Sequence, residues 1–404
     1  MPSFEEARRL ILDSITPLAS ERVGLLESLG RVTAEDIVAP WNLPSCDNSA
    51  MDGYAVRSAD CPQPASLRIT GFVPAGAVAT GPVDEGCAIK IMTGAPIPSG
   101  GDTVVPFENT EERDDQVRIK APVVRGQHIR FVGEDIRCGE TVIASGRVIR
   151  AAEISMLASC GRTLVSVYGK PTVAILSTGD ELLEVGEPLT PGKVVDSNGM
   201  SLAAGVRGCG ATPVMLGIAR DNRASHVQKM SEGLKGDAFI TSAGVSAGER
   251  DLVREVLAEL GMKQLFRRVE IGPGAPTCFG LRDGKPVFCL PGNPVASMIT
   301  FEEFVKPALL KMMGHRRVLK PLVRAILQEE VRKKPGKIKF LRVRLESVGG
   351  KLLAYSSGDQ NTGILKTMLM ADGWAVLPSE RVSFSAGDEV EVHIISEDAG
   401  MLEP

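Results

Sequence analysis

Four short segments in the middle of the chain mix glycine and small polar residues with carboxylates. They are Ser177-Thr178-Gly179-Asp180-Glu181, Arg220-Asp221-Asn222, the run Ser242-Ala243-Gly244-Val245-Ser246-Ala247-Gly248-Glu249-Arg250-Asp251, and Pro291-Gly292-Asn293-Pro294. Glycine and small hydroxyl residues let backbone N–H groups approach a phosphate at a helix N-terminus. Asp180, Glu181, Asp221 and Asp251 would repel that phosphate unless a divalent cation lies between them. Such oxygen ligands suit Mg²⁺, which takes one or two carboxylates and completes its shell with substrate phosphates. Taken singly, each Asp does no more than cap a helix. Four carboxylates at one edge of one sheet point to a site.

The elements that would hold these segments are strands alternating with helices between about residues 171 and 318. Thr172-Val173-Ala174-Ile175-Leu176 is nearly all apolar, as a strand covered on both faces should be. A helix at 198–207, a strand at 212–218, a helix at 223–235, a strand at 237–242 and a helix at 249–260 are expected next. A strand at 265–271, a hairpin at Asp283-Gly284, a strand at 286–290 and a helix at 295–312 complete the pattern. Alternation of this kind implies a mostly parallel, doubly wound α/β sheet. In such a sheet the ligand crevice lies beyond the carboxyl ends of the strands, where all four segments fall.

On either side the texture changes. Residues 39 to 139 read as short alternating strands punctuated by Gly and Pro, a small β domain. It carries two tight polar loops, Asp47-Asn48-Ser49-Ala50-Met51-Asp52-Gly53-Tyr54-Ala55 and Met92-Thr93-Gly94-Ala95-Pro96. From about 319 the strands return, with clean alternation at Ile338–Arg344 and Glu389–Ile394. Residues 1–38 and 140–170 read as helical flanks. Ser3 and Glu6 make a capping box for the first helix, whose apolar face would carry Phe4, Leu10, Ile11 and Ile15.

Composition narrows the function further. The chain has 404 residues and a net charge of −4, so no global basic field exists to hold a nucleic-acid backbone. With 12 Phe, 3 Tyr and 2 Trp it also lacks the aromatics of a base-stacking platform. No apolar run is long enough to span a membrane. The acidic N-terminus is unlike a signal peptide, and the 8 cysteines avoid metal or redox spacing. A cytosolic protein with reduced thiols is expected.

Two local matches compete. Gly186 to Gly192-Lys193 resembles a phosphate-binding P-loop, but it is one residue too long and Val194 follows the lysine. Gly244-Val245-Ser246-Ala247-Gly248 matches a G-x-S-x-G nucleophile elbow between a strand and a helix. A serine hydrolase would then draw on Asp283 and His315, the latter in a basic turn that reads as a surface helix cap.

Taken in order, the segments resemble the molybdopterin molybdenumtransferase family, which includes bacterial MoeA and the C-terminal domain of gephyrin. The matching stretches are Asp47–Ala55, Met92–Pro96, Gly133-Glu134-Asp135, Ser177–Leu182, Arg220-Asp221, Gly244–Asp251 and Pro291–Pro294, spread over nearly the whole chain. The resemblance implies a helical linker domain (20–38 and 140–170), an inserted β domain (39–139), a molybdopterin-binding α/β domain (1–19 and 171–318) and a C-terminal β-barrel (319–404). It implies an elongated homodimer whose sites are shared between the α/β domain of one subunit and the β domain of the other. The implied reaction takes adenylylated molybdopterin and molybdate with Mg²⁺, releases AMP, and leaves molybdenum on the dithiolene sulfurs. A molybdopterin adenylyltransferase would supply the substrate and molybdoenzymes would accept the product.

Residue by residue, the resemblance gives catalytic roles to Asp52, Thr93, Glu181, Asp221 and Asp251, and places Asp180, Glu181, Asp221 and Asp251 around the metal. Substrate binding falls to Ser177, Thr178, Gly179, Ser242, Gly244, Ser246, Pro291, Asn293 and Pro294, with Arg268, Arg342 and Thr362 as oxyanion ligands. One departure stands out. The family's Lys-Pro-Gly-Lys-Pro loop reads Gly272-Pro273-Gly274-Ala275-Pro276 here, and Ala243 stands where a glycine is usual. Arg267 and Arg268 precede that loop, and alternation along a strand would send them to opposite faces. The departure leaves open a paralogue that binds a pterin nucleotide, or acts as a scaffold, without inserting metal.

Overall fold

A computed structural model describes residues 1–244 and 252–395. Ser246 and Asp251 lie outside the described residues. The chain divides into two compact units.

The larger unit comprises Met1–Ala34, Gly146–Ile149 and the chain from Val165 onward. Its centre is a six-stranded sheet in the spatial order Thr212–Ala219, Thr172–Thr178, Ala238–Ser242, Lys285–Leu290, Cys278–Arg282, Lys263–Phe266. The first four strands are parallel, and Cys278–Arg282 runs antiparallel to both of its neighbours. The apolar strand is buried from Val173 through Thr178, as its composition requires. The pairings Thr178↔Ala219, Ser177↔Ser242 and Ser242↔Leu290 bring four strands to the same level at their carboxyl ends. The segments starting at Gly179, Arg220, Ala243 and Pro291 therefore leave the sheet side by side.

A five-stranded barrel follows. Strands Ile338–Val348, Lys351–Ser356, Leu322–Leu327, Glu389–Ile394 and Gly373–Leu377 pair in that order, and the last closes back on the first. Closure removes the exposed edges that short strands otherwise leave. The N-terminal helix Phe4–Asp13 joins barrel and sheet domain: the Phe4 ring packs 5.6 Å from Phe304 and 5.2 Å from Phe340. Its capping box is present as expected, but its buried face is Phe4, Ala7 and Ile11, and Leu10 is exposed.

The second unit, Glu35–Ser145 with Arg150–Leu164, holds a six-stranded sheet in the order Thr103–Pro106, Gly53–Val56, Cys87–Ile91, Ala65–Val73, Gln116–Ile119, Thr110–Arg113. A side chain at Gly53 would meet the Val105 carbonyl oxygen at 2.0 Å, so only glycine lets these two strands close.

Several expectations need correction. Within 20–38 and 140–170 the one α-helix is Ala151–Ser159. Ser20–Gly24 instead pairs with Leu164–Tyr168, and Ile37–Val38 with Thr141–Ile143. These strands are too short for alternation to register. The strand expected at 265–271 is Lys263–Phe266, and Cys278–Arg282 is a strand that went unforeseen. Arg267 and Arg268 follow the strand end and are both exposed, so alternation does not separate them. The helix at 295–312 is interrupted by a π-helical turn at Phe301–Val305. His315 is half-buried rather than a surface cap, and burial lowers its pKa.

Candidate functional site

The aligned strand ends frame a cleft of about 630 Å³. Thr178, Gly179, Glu181 and Asp221 line one side, Ser242, Ala243 and Gly244 the floor, and Pro291 through Pro294 the other side. Of the sequence-predicted cluster, Thr178, Gly179, Glu181, Asp221, Ser242, Gly244, Pro291, Asn293 and Pro294 line the cleft, and Ser177 and Asp180 do not.

Asp180 and Asp221 do not cap helices. The neighbouring helices are capped by Asn222, which accepts the Ser225 N–H at 2.9 Å, and by Asp196, which accepts the Gly199 N–H at 2.9 Å. Asp180 and Asp221 bind each other's backbones instead. Asp221 Oδ2 accepts the Asp180 N–H at 3.2 Å, and Asp180 Oδ1 accepts the Asp221 N–H at 3.1 Å. Arg220 buttresses the pair from behind, donating to the Leu182 carbonyl at 2.9 Å and to those of Gly179 and Asp180 at 3.4 Å. Lys193, the lysine of the rejected P-loop match, donates to the Asp180 carbonyl at 2.6 Å. Both cations are thereby occupied with backbone oxygens rather than neutralising the carboxylates.

Asp180 Oδ2 and Asp221 Oδ1 accept no hydrogen bond among the described residues. No group of three or more His, Cys, Asp or Glu that could hold a metal is present among the described residues. A caged ion does not fit this donor set. A Mg²⁺ that takes two protein carboxylates and leaves the rest of its shell to phosphate oxygens and water does fit.

Sequence reasoning missed Asn198. It is buried in the cleft wall, where its Nδ2 donates to Ser242 Oγ at 2.9 Å and to the Gly292 carbonyl at 2.7 Å. A carbonyl can only accept, which fixes the amide orientation. The Asn198 Oδ1 atom is buried without a partner, and so is Ser177 Oγ. The turn signal Asp196-Ser197-Asn198-Gly199 was the available clue.

The Ala243 backbone is also unusual. Its φ is +74°, left-handed, and Gly244 follows at the same φ. A side chain on Gly244 would strike Val253 Cγ2 at 2.1 Å. An L-residue in this region costs about 1–2 kcal/mol, and glycine returns roughly half of that as unfolded-chain entropy. Ala243→Gly is therefore expected to stabilise the protein by about 0.5–1 kcal/mol, read by chemical denaturation.

The remaining residues lie elsewhere. Arg342 is buried in the barrel, where it donates to the carbonyls of Asp359 at 2.8 Å and Asn361 at 3.2 Å. Burial pulls its pKa down, partly offset by Asp359. Thr362 meets the cleft rim, accepting from Asn293 Nδ2 at 3.1 Å. Arg268 is exposed and is not among the cleft-lining residues. In the second unit, Asp52 Oδ1 accepts both the backbone N–H (2.7 Å) and the hydroxyl (2.8 Å) of Thr93, which lowers its pKa. The carboxylate form of that pair persists through neutral pH and is lost only on strong acidification. The loops 47–55 and 92–96 adjoin there, with the Ser49 N–H donating to Ala95 and the Gly94 N–H to Ser49.

Three family models cover the chain: the MoeA N-terminal region (domain I and II) over residues 2–161, the probable molybdopterin binding domain over 174–311, and the MoeA C-terminal region (domain IV) over 324–395. A Staphylococcus epidermidis protein named molybdopterin molybdenumtransferase is 35% identical over 96% of this chain and 94% of its own length. The chain belongs to the molybdopterin molybdenumtransferase family. Molybdopterin molybdenumtransferase 2 of Mycobacterium tuberculosis is 34% identical, over 97% of this chain and 99% of its own. The crystal structure of the molybdopterin biosynthesis moeA protein from Pyrococcus horikoshii superposes with a TM-score of 0.83 at 32% identity, covering 98% of this chain and 100% of that one. Membership accounts for the α/β domain and the closed C-terminal barrel together. No helix among the described residues is long and apolar enough to cross a membrane.

The hydrolase alternative loses its support. Asp283 sits in the turn of the hairpin and pairs with Arg282 at 3.0 Å, and His315 lines a separate small hollow beside Tyr168. Neither is among the cleft-lining residues.

Proposed function

We propose that this protein inserts molybdenum into molybdopterin in molybdenum cofactor biosynthesis. It takes adenylylated molybdopterin and molybdate, releases AMP, and leaves the metal on the dithiolene sulfurs. The observation that carries this reading is the reciprocal Asp180–Asp221 pair, whose Asp221 lines the cleft, within a chain of this family from end to end. Asp180 and Asp221 would hold Mg²⁺, with Glu181 next to Asp180 in sequence, and the ion would screen the pyrophosphate and polarise its bridging bond. Asn198 braces the cleft wall by tying Ser242 to the Gly292 carbonyl. Incubation with adenylylated molybdopterin, molybdate and Mg²⁺ should release AMP and reconstitute an apo-molybdoenzyme. Neither signal above background would sink the reading.

The lysine-free loop at Gly272–Pro276 favours one alternative, a paralogue that binds the pterin nucleotide without inserting metal. Calorimetry showing tight nucleotide binding beside zero AMP release would establish it.

Asp52 and Thr93 are proposed to complete the site of a second copy in a cytosolic homodimer. Sedimentation at micromolar concentration should show a dimer. Mixed Asp52→Ala and Asp221→Ala chains, refolded together, should recover activity that neither has alone.

A further inference from the structure

The cleft is out of balance in charge. Glu181, Asp196 and Asp221 line it, and no lysine, arginine or histidine does among the described residues. The Gly272–Pro276 loop, whose Pro276 also lines it, brings no cation either. One Mg²⁺ offsets two negative charges, fewer than these carboxylates carry before a diphosphate adds its own. A polyanion entering such a site needs a further cation near its phosphates.

Two cations stand beside the Asp180–Asp221 pair, and they are held differently. Arg220 Nη1 is shared by the carbonyls of Gly179, Asp180 and Leu182, so moving it would release three acceptors of one loop. Lys193 is exposed, and its ammonium has a single partner among the described residues, the Asp180 carbonyl at 2.6 Å. That carbonyl also receives Arg220, so it keeps a donor when the lysine leaves. An ammonium carries three N–H groups on a flexible four-carbon stem, and only one of them is used here.

Local sequence sets this lysine at the rim. Thr190-Pro191-Gly192-Lys193 is a turn closed by the Lys193 N–H on the Thr190 carbonyl at 3.1 Å, with Gly192 at φ +80°. Proline second and a left-handed glycine third suit a type II turn. The chain then enters the short parallel ladder of Leu182-Leu183 with Val194-Val195, and the Val194 N–H donates to the Glu181 carbonyl at 2.9 Å. Lys193 thus directly precedes Val194, and both Val194 and Glu181 line the cleft.

We infer that Lys193 is a substrate-binding residue, whose ammonium leaves the neutral Asp180 carbonyl for an oxygen of the ligand's diphosphate. A charged oxygen outcompetes a neutral one for an ammonium at the same distance. This role rests on the proposed function for its diphosphate ligand, and on neither molybdate nor turnover.

Calorimetric titration of the full-length protein with ADP and Mg²⁺ supplies a nucleoside diphosphate free of pterin, with adenosine as the phosphate-free control. The wild type is expected to bind ADP saturably and Lys193→Gln about tenfold more weakly, with Lys193→Arg recovering most of the loss. Adenosine affinity should be the same in all three. Mg²⁺ binding without nucleotide should not weaken in Lys193→Gln, because the lysine holds a carbonyl and neither carboxylate. Melting temperatures should agree within about a degree, since one exposed bond is lost. No saturable ADP binding by the wild type at millimolar concentration, equal ADP affinity in Lys193→Gln, or a parallel loss of ADP and Mg²⁺ affinity in that variant would overturn the inference. Lysine-dependent ADP binding without AMP release would keep the role of Lys193 and remove the molybdenum-insertion reading. AMP release with wild-type KM in Lys193→Gln would do the reverse.

Discussion

Asp221→Asn is expected to slow AMP release about 100-fold, with the remaining activity displaced to higher Mg²⁺ concentration. Removing one preorganised electrostatic partner from an active site costs on the order of 10²–10³ in rate. Asparagine is isosteric with aspartate, and its amide oxygen can still accept the Asp180 N–H that Asp221 Oδ2 now accepts at 3.2 Å. The loop geometry is thus kept while one negative charge is withdrawn. Asp221 is exposed, so the substitution leaves folding intact and the melting temperature should stay within about a degree of the wild type. Asp180→Asn should behave in the same way, because the two carboxylates are related by a reciprocal pair of backbone bonds. The double variant should lose little more than either single one if the two act as a unit on one ion. Initial rates of AMP release over a Mg²⁺ titration decide it. Unchanged rates at limiting Mg²⁺ in both single variants would show that the pair serves only to pin the loops together.

The part of this site that could be read in the sequence is the part fixed by chain direction. A parallel strand must end at the same sheet edge as its neighbours, so Gly179, Arg220, Ala243 and Pro291 could be placed together from the alternation of strands and helices alone. What sequence could not supply was the partner of each side chain. Asp180 and Asp221 are 41 positions apart, and nothing local shows that each takes the other's N–H rather than capping the next helix. Asn198 was overlooked because its two acceptors, Ser242 and Gly292, are 44 and 94 positions away. The same limit affected Arg267 and Arg268, whose separation to opposite faces assumed a strand that in fact ends at Phe266. The linker segments were misjudged for a different reason. Two- and three-residue ladders such as Ile37–Val38 against Thr141–Ile143 are held by tertiary contact and carry no periodicity of their own. The left-handed Ala243 illustrates a conflict between levels: the residue type argues against the conformation, and the crowded floor of the cleft imposes it.

Asn198→Ala is expected to cost about 2 kcal/mol of stability and to raise the KM for the pterin nucleotide more than it lowers kcat. The stability loss follows from the two hydrogen bonds of Nδ2, at 2.9 and 2.7 Å, which tie the helix Ser197–Gly208 to the ends of two different strands. Deleting one member of a buried pair costs about 1–3 kcal/mol per acceptor stranded, and the Ser242 hydroxyl can turn to recover part of it. The KM effect follows from Oδ1, which is enclosed in the wall of the cleft, faces no protein donor, and is met by a ligand once the side chain turns toward it. An acceptor that ligand binding satisfies contributes in the ground state and the transition state alike, so its loss appears in KM. Asn198→Asp separates the two roles. The carboxylate keeps an acceptor but has no N–H for Gly292, and it sets a negative charge against that carbonyl. It should therefore be at least as destabilised as the alanine variant while binding the nucleotide more tightly than alanine does. Denaturation curves and substrate titrations on the three proteins give both quantities. If aspartate and alanine show the same KM, Oδ1 does not read the ligand and Asn198 is a strut between the two loops, with the ring held by other groups in the cleft.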